Sequence, residues 1–124
     1  MPTLLLVEDD PLLRNWLAYA FKNLNLDVRL FIASNGAEAW QLLQQNPVDL
    51  LWTDYEMPSL NGATLIRRAV GQYPHLPVVL MSGNLSAAQA AVADLGIQVL
   101  AKPFTLEDIQ QVLTSLLTDF EGTE

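Results

Sequence analysis

Short apolar runs alternate with stretches of helical periodicity from one end of the chain to the other. The runs at 3–7, 28–32, 50–53, 78–81 and 97–101 are continuous rather than alternating, as strands buried on both faces are. Between the first two, Leu13, Trp16, Leu17, Ala20, Phe21 and Leu24 recur at helical spacing. Pro11 suits a first helical position and makes Asp10 the natural N-cap. Later helices carry their own start and stop signals: Asn35 with Glu38 three on, Ser86 with Gly96 beyond the helix end, and Thr105 with Asp108. That last pair precedes the apolar stripe Ile109, Val112, Leu113, Leu116 and Leu117. A further helix near 63–72 is less sharply periodic.

Strands alternating with helices predict an α/β fold, a parallel sheet with helices on both faces. Right-handed crossovers would make it an open doubly wound sheet of five strands, and such sheets bind ligands beyond the carboxyl ends of their strands. No repeat, linker or low-complexity tract interrupts the pattern. One domain over 1–120 is expected, with 121–124 as a flexible C-terminal tail.

Composition narrows the function. At 124 residues, 51% hydrophobic and 16% charged, the chain suits one packed domain. A net charge of -8 with only six Lys and Arg argues against direct nucleic-acid binding, which draws its affinity from those residues. The absence of cysteine excludes a disulfide frame, a thiolate nucleophile and Cys-based metal sites. The run "LLLV" is too short for a signal-peptide core, and nothing approaches a membrane span, so a cytoplasmic protein without membrane insertion is expected.

The chemistry gathers at one rim. Glu8, Asp9 and Asp10 follow strand one, Asp54 and Glu56 strand three, Ser82 and Gly83 strand four, and Lys102 and Pro103 strand five. Singly, each has an ordinary reading as a cap, turn former or solvated charge. Together, clustered carboxylates repel and raise one another's pKa, and one lysine cannot neutralise them, so a divalent cation is implied. Oxygen ligands without His or Cys suit magnesium, which completes its shell with water and phosphate oxygens. A hydroxyl at Ser82 and an ammonium at Lys102 supply donors to an anion, so the rim would hold a phosphoryl group, with Asp54 as nucleophile.

The blocks "LLLVEDDPLLR", "DLLWTDYEMPSLNG", "VVLMSG" and "VLAKPF" resemble, in order, the signature blocks of response-regulator receiver domains of two-component signalling, of the single-domain, chemotaxis-regulator type. The resemblance spans essentially the whole chain. It implies a flavodoxin-like fold with five helices and strand order 2-1-3-4-5. It also implies that Asp54 accepts a phosphoryl group from a histidine kinase, a phosphotransfer protein or a small donor. Asp9, Asp54 and the backbone carbonyl of Glu56 would ligate Mg2+, with Glu8 assisting through water. Ser82 would bond a phosphoryl oxygen, Lys102 would pair with the phosphoryl group, and Asp10 would mainly cap its helix. Lys102-Pro103 resembles a cis bond of the family, although trans is the default for X-Pro from sequence alone. Such a domain is a phosphoacceptor that catalyses only its own phosphoryl transfer and dephosphorylation.

The chain also departs from the family. Where relatives carry an aromatic switch residue three positions before the lysine, Val99 stands, and a β-branched side chain does not swing as a ring does. Glu56 and Asn84 occupy the variable positions that tune phosphoryl lifetime. Strand two looks about one residue longer than in many relatives, which a bulge or longer loop would absorb. His75 reads as a surface residue, and Trp16 and Trp40 as helix core or partner surface. Two rivals remain: a pseudo-receiver that binds partners without being switched by phosphate, and an aspartate-nucleophile phosphatase. The glycines form no phosphate-loop pattern, which disfavours a nucleotide-binding module.

Overall fold

Three strands whose every residue is apolar or uncharged up to the last position form the centre of the molecule. In the computed structural model, which describes residues 1–24, 27–57 and 61–121, with side chains to 116, these are β1 (Thr3–Val7), β3 (Leu50–Asp54) and β4 (Val78–Ser82), each wholly buried. The edge strands β2 (Arg29–Ala33) and β5 (Gln98–Ala101) are only partly covered. All pairings are parallel and the order is β2-β1-β3-β4-β5, as expected.

Alternation along each strand sends successive side chains to opposite faces, and each face meets its own helices. Leu4, Leu6, Leu50, Trp52, Val79 and Met81 pack under α1 (Pro11–Lys22) and α5 (Leu106–Glu121). Leu5, Val7, Leu51, Val78 and Leu80 pack under α2 (Gly36–Gln45), α3 (Gly62–Gln72) and α4 (Leu85–Ala91). The Trp52 ring stands edge-on to Phe21 at 5.1 Å between centroids, and its indole N–H donates to the Met81 sulfur at 3.2 Å. Trp40 packs partly buried against the second layer.

The capping signals mostly hold. Asp10 accepts from the Leu12 N–H, Asn35 from the Glu38 N–H, and Thr105 and Asp108 cap each other reciprocally. Helix α3 starts at Asn61, whose side chain accepts from the Thr64 N–H. Helix α4 corrects the expectation. Its cap is Asn84, accepting from the Ala87 N–H, and Ser86 lies inside the first turn. A short 3-10 turn, Ala93–Leu95, follows α4, and Gly96 closes it at φ 63°, a left-handed conformation that glycine adopts without strain.

Strand β2 runs 29–33 rather than 28–32 and pairs with β1 residue for residue from Thr3↔Arg29 to Val7↔Ala33, with no bulge among the described residues. Of the segment expected to be longer, Leu26 lies outside the described residues. So do the side chain of Leu117 and residues 122–124 of the expected tail. No described helix is long and apolar enough to cross a membrane.

Candidate functional site

Asp54 and Ser82 are the last residues of β3 and β4 rather than the first after them. Asp54 is in register with Met81 and Ser82 with Ala101. Ladder bonds continue past both: the Tyr55 N–H donates to the Met81 carbonyl at 2.9 Å and the Lys102 N–H to the Ser82 carbonyl at 2.8 Å. The backbone at each of these two positions is therefore held by the sheet.

Asp54 is 3% exposed. The Lys102 ammonium stands 2.8 Å from its Oδ1 and 3.3 Å from Glu8 Oε1, so one cation serves two buried carboxylates. Its approach to Asp54 Oδ1 is close but off the direction a hydrogen bond needs, and that buried oxygen has no oriented donor. Glu8 is 1% exposed, and its Oε2 accepts from the Asp10 N–H. Its carbonyl accepts from the Arg14 guanidinium at 3.2 Å. Asp9, by contrast, is exposed. Carboxylate oxygens of Glu8, Asp9 and Asp54 lie within 4.8 Å of one another, the spacing of a hard-cation site. The Lys102-Pro103 bond is cis, so here the family resemblance prevails over the trans default.

Burial dominates the electrostatics. It pushes the Asp54 carboxyl up to about 7, against the pull of Lys102 and with further help from the charges of Glu8 and Glu56. Glu8 is also raised, again chiefly by burial, which the bond from Asp10 and the charge of Lys102 only partly offset. Burial draws Lys102 down, but the contact with Asp54 and the charges of Asp54 and Glu8 outweigh it and leave the ammonium above its ordinary value. The pocket thus holds more negative charge than Lys102 neutralises, with an under-bonded carboxylate oxygen at its floor. A small divalent cation with oxygen preference fits that donor set.

Ser82 is 0% exposed, and its hydroxyl donates to Glu56 Oε1 at 2.6 Å. Val99 is half-buried beside Leu80 and packs into the α2–α4 layer. Asn84 caps α4 and is exposed. His75 is exposed on the α3–β4 turn, outside the cluster.

A family profile described as "Response regulator receiver domain" matches residues 4–114. The chain belongs to that family. This receiver domain is 35% identical over 119 residues to the response regulator receiver protein CpdR of Brucella abortus, covering 94% of this chain and 98% of that protein. It is 34% identical over 125 residues to a chemotaxis protein CheY homolog of Campylobacter jejuni, covering 97% and 92%. Its fold matches the receiver domain of sensor histidine kinase PA1611 from Pseudomonas aeruginosa with a TM-score of 0.84 at 22% identity, over 94% of this chain and 98% of that one. That structure carries a magnesium ion coordinated in its active-site cleft. Other matched relatives are longer, and the chain spans half of one and 12% of another. Receiver domains are two-component signalling modules rather than enzymes in the usual sense.

Three contributors escaped the sequence reading: the Arg14 side chain on the Glu8 carbonyl, the Glu56 side chain on Ser82, and Gly62. Gly62 closes the β3–α3 connection, donating its N–H to the Tyr55 carbonyl at 3.0 Å. A methyl group at Gly62 would fall on the carbonyl oxygen of Asp54 and the Cα of Tyr55, both backbone atoms that cannot rotate aside. Arg14 and Gly62 sit inside the quoted signature blocks, which was the available signal. Gly62→Ala is expected to cost about 1–3 kcal/mol of stability in denaturant unfolding, as overpacking against fixed backbone does.

Proposed function

We propose that this receiver domain accepts a phosphoryl group on Asp54 from a histidine kinase or phosphotransfer protein, in a magnesium-dependent reaction, and signals by phosphorylation-dependent protein binding. The observation that carries the reading is the Asp54 carboxylate itself: almost wholly buried, under-bonded at Oδ1, and set against Lys102 and two further acids. Its one cation is shared with a second buried acid, Glu8, which leaves the pocket's negative charge unbalanced.

Asp9, Asp54 and the backbone carbonyl of Glu56 would hold the magnesium ion, with Glu8 assisting through water. When bound, magnesium supplies the positive charge that the acids lack and that the incoming phosphoryl oxygens require. Asp54 in its ionised form needs no base: a carboxylate oxygen attacks phosphorus, the bond from phosphorus to the donor breaks, and the donor keeps the electron pair. Lys102, already between Glu8 and Asp54, moves its charge onto the phosphoryl oxygens, and Ser82 donates a hydrogen bond to one of them.

A macromolecular donor must reach the rim beside Lys102. Asp10, Leu13, Trp16, Lys102, Pro103 and Phe104 line a groove there, and the Trp16 and Phe104 rings lie 6.1 Å apart. Leu12 and Leu106 add exposed apolar surface nearby. This apolar strip flanking the acids fits the phosphodonor protein.

Intact-mass spectrometry after incubation with acetyl phosphate tests the proposal: one added phosphoryl group that requires magnesium is expected. Asp9→Ala is expected to slow labelling at limiting magnesium, with partial recovery at excess; labelling unchanged at any magnesium concentration would remove Asp9 from the site. Val99, which cannot act as a swinging ring, supports a second reading, a partner-binding module unmoved by phosphate. Absence of an adduct with acetyl phosphate and with a kinase would favour it.

A further inference from the structure

A serine hydroxyl has one proton to give. In this molecule that proton faces two acceptors, Glu56 Oε1 at 2.6 Å and the Asn84 carbonyl at 3.0 Å. The carboxylate is nearer and charged, so it takes the bond. The hydroxyl's accepting side is also used, by the Asn84 N–H at 2.9 Å. Ser82 therefore has no exposed surface and no spare donor, whereas Glu56, its partner, belongs to an exposed residue on the loop after β3.

On the proposed reading, an anionic oxygen of the phosphoryl group is meant to claim the Ser82 proton. A carboxylate oxygen already holds it, from a residue two positions beyond the phosphoacceptor. Carboxylate and phosphoryl oxygens are both acceptors only, and they repel, so they cannot share one hydrogen. We infer that the Glu56 side chain is an internal latch that occupies Ser82 in place of the phosphoryl oxygen and must swing out before the phosphorylated state can form. This inference rests on Asp54 being the phosphoacceptor. It assigns Glu56 a positioning role through its side chain, separate from the metal-binding role proposed for its backbone carbonyl. No covalent bond changes in the switch: the Ser82 hydrogen exchanges Glu56 Oε1 for a phosphoryl oxygen, and the freed carboxylate, being at the surface, is taken up by water.

Simple repulsion is the rival explanation of any effect of Glu56, since its charge also opposes an anionic donor. The two separate by reach and by coupling. Glu56→Asp keeps the charge but is one methylene short of Ser82, so it opens the latch without lowering the repulsion. Glu56→Ala removes both. The experiment is the magnesium-dependent labelling rate with acetyl phosphate, followed by intact mass, for wild type, Glu56→Ala and Glu56→Asp, each with Ser82 intact and with Ser82→Ala. Both Glu56 variants are expected to label roughly tenfold faster than wild type, the lower end of what a hydrogen bond to a charged group is worth. In the Ser82→Ala background, which has no latch to open, neither is expected to change the rate by more than about twofold. Glu56→Asp labelling at the wild-type rate, or an undiminished Glu56→Ala effect without Ser82, overturns the latch while leaving the phosphoacceptor reading in place. A wild-type protein that takes up no phosphoryl group overturns that reading and the latch with it.

Discussion

Replacing Asp54 by asparagine is expected to abolish phosphoryl uptake and, at the same time, to make the folded protein more stable at neutral pH. The first effect follows from chemistry: an amide oxygen is a poor nucleophile toward phosphorus, and no other buried acid takes the same position at the end of β3. The second follows from burial. The Asp54 carboxyl stands at about 7 in the folded protein and near 3.9 in an unfolded chain. The native state therefore holds its proton more tightly. The stability that accompanies the protonated form is fully present below about pH 4 and is gone above about 7. At pH 8 the ionised carboxylate costs the native state up to about 4 kcal/mol. The pull of Lys102 is already contained in that figure, so an uncharged asparagine is expected to recover most of it. Thermal melts without magnesium are expected to show the variant above wild type at pH 8 and level with it near pH 4. A variant less stable than wild type at pH 8 would mean that Lys102 fully compensates the buried charge. Magnesium is expected to narrow the gap by stabilising wild type, since a ligand that binds only the native state raises its stability.

Lys102→Ala is expected to slow labelling by about 100- to 1,000-fold, the range seen when one preorganised donor to developing negative charge is removed. The same change leaves Glu8 and Asp54 facing each other without a cation. Both are raised already by burial, and Lys102 is among the influences that hold each down. The variant's melting temperature is expected to fall most steeply between acid and neutral pH, where those carboxyls ionise, and magnesium is expected to return part of it. Lys102→Arg keeps the charge but replaces a compact ammonium with a larger planar group, so rescue is expected to be incomplete. A labelling rate within a few-fold of wild type for Lys102→Ala would show that magnesium alone neutralises the phosphoryl group.

What could be read from the chain was what repeats or alternates. Continuous apolar runs located all five strands to within a residue or two, because a strand buried on both faces tolerates little else. The rim residues followed from the strand ends. What could not be read was how neighbouring side chains of like charge or function choose partners. Glu8 and Asp9 are adjacent acids, yet the first is sealed against Lys102 and the Asp10 N–H while the second faces solvent. Strand alternation past β1 decides this, and nothing in their chemistry does. Ser86 and Asn84 are both good caps, and the β4 ladder ending at Ser82 leaves the chain turning at Asn84 two residues sooner. The bond from Ser82 to Glu56 joins the end of β4 to the loop after β3, 26 positions away, so only the folded register brings them together.

The central strands also divide the site in time. Asp54 and Ser82 end strands flanked by a neighbour on each side, whereas Lys102 follows β5, which has β4 alone. Amide hydrogens of the three central strands, β1, β3 and β4, should be the last to exchange with heavy water, and those of β5 should exchange through smaller openings. The acids would then keep their places on timescales over which the lysine leaves and returns, and for a fraction of the time the pocket would be an acid cluster without its cation.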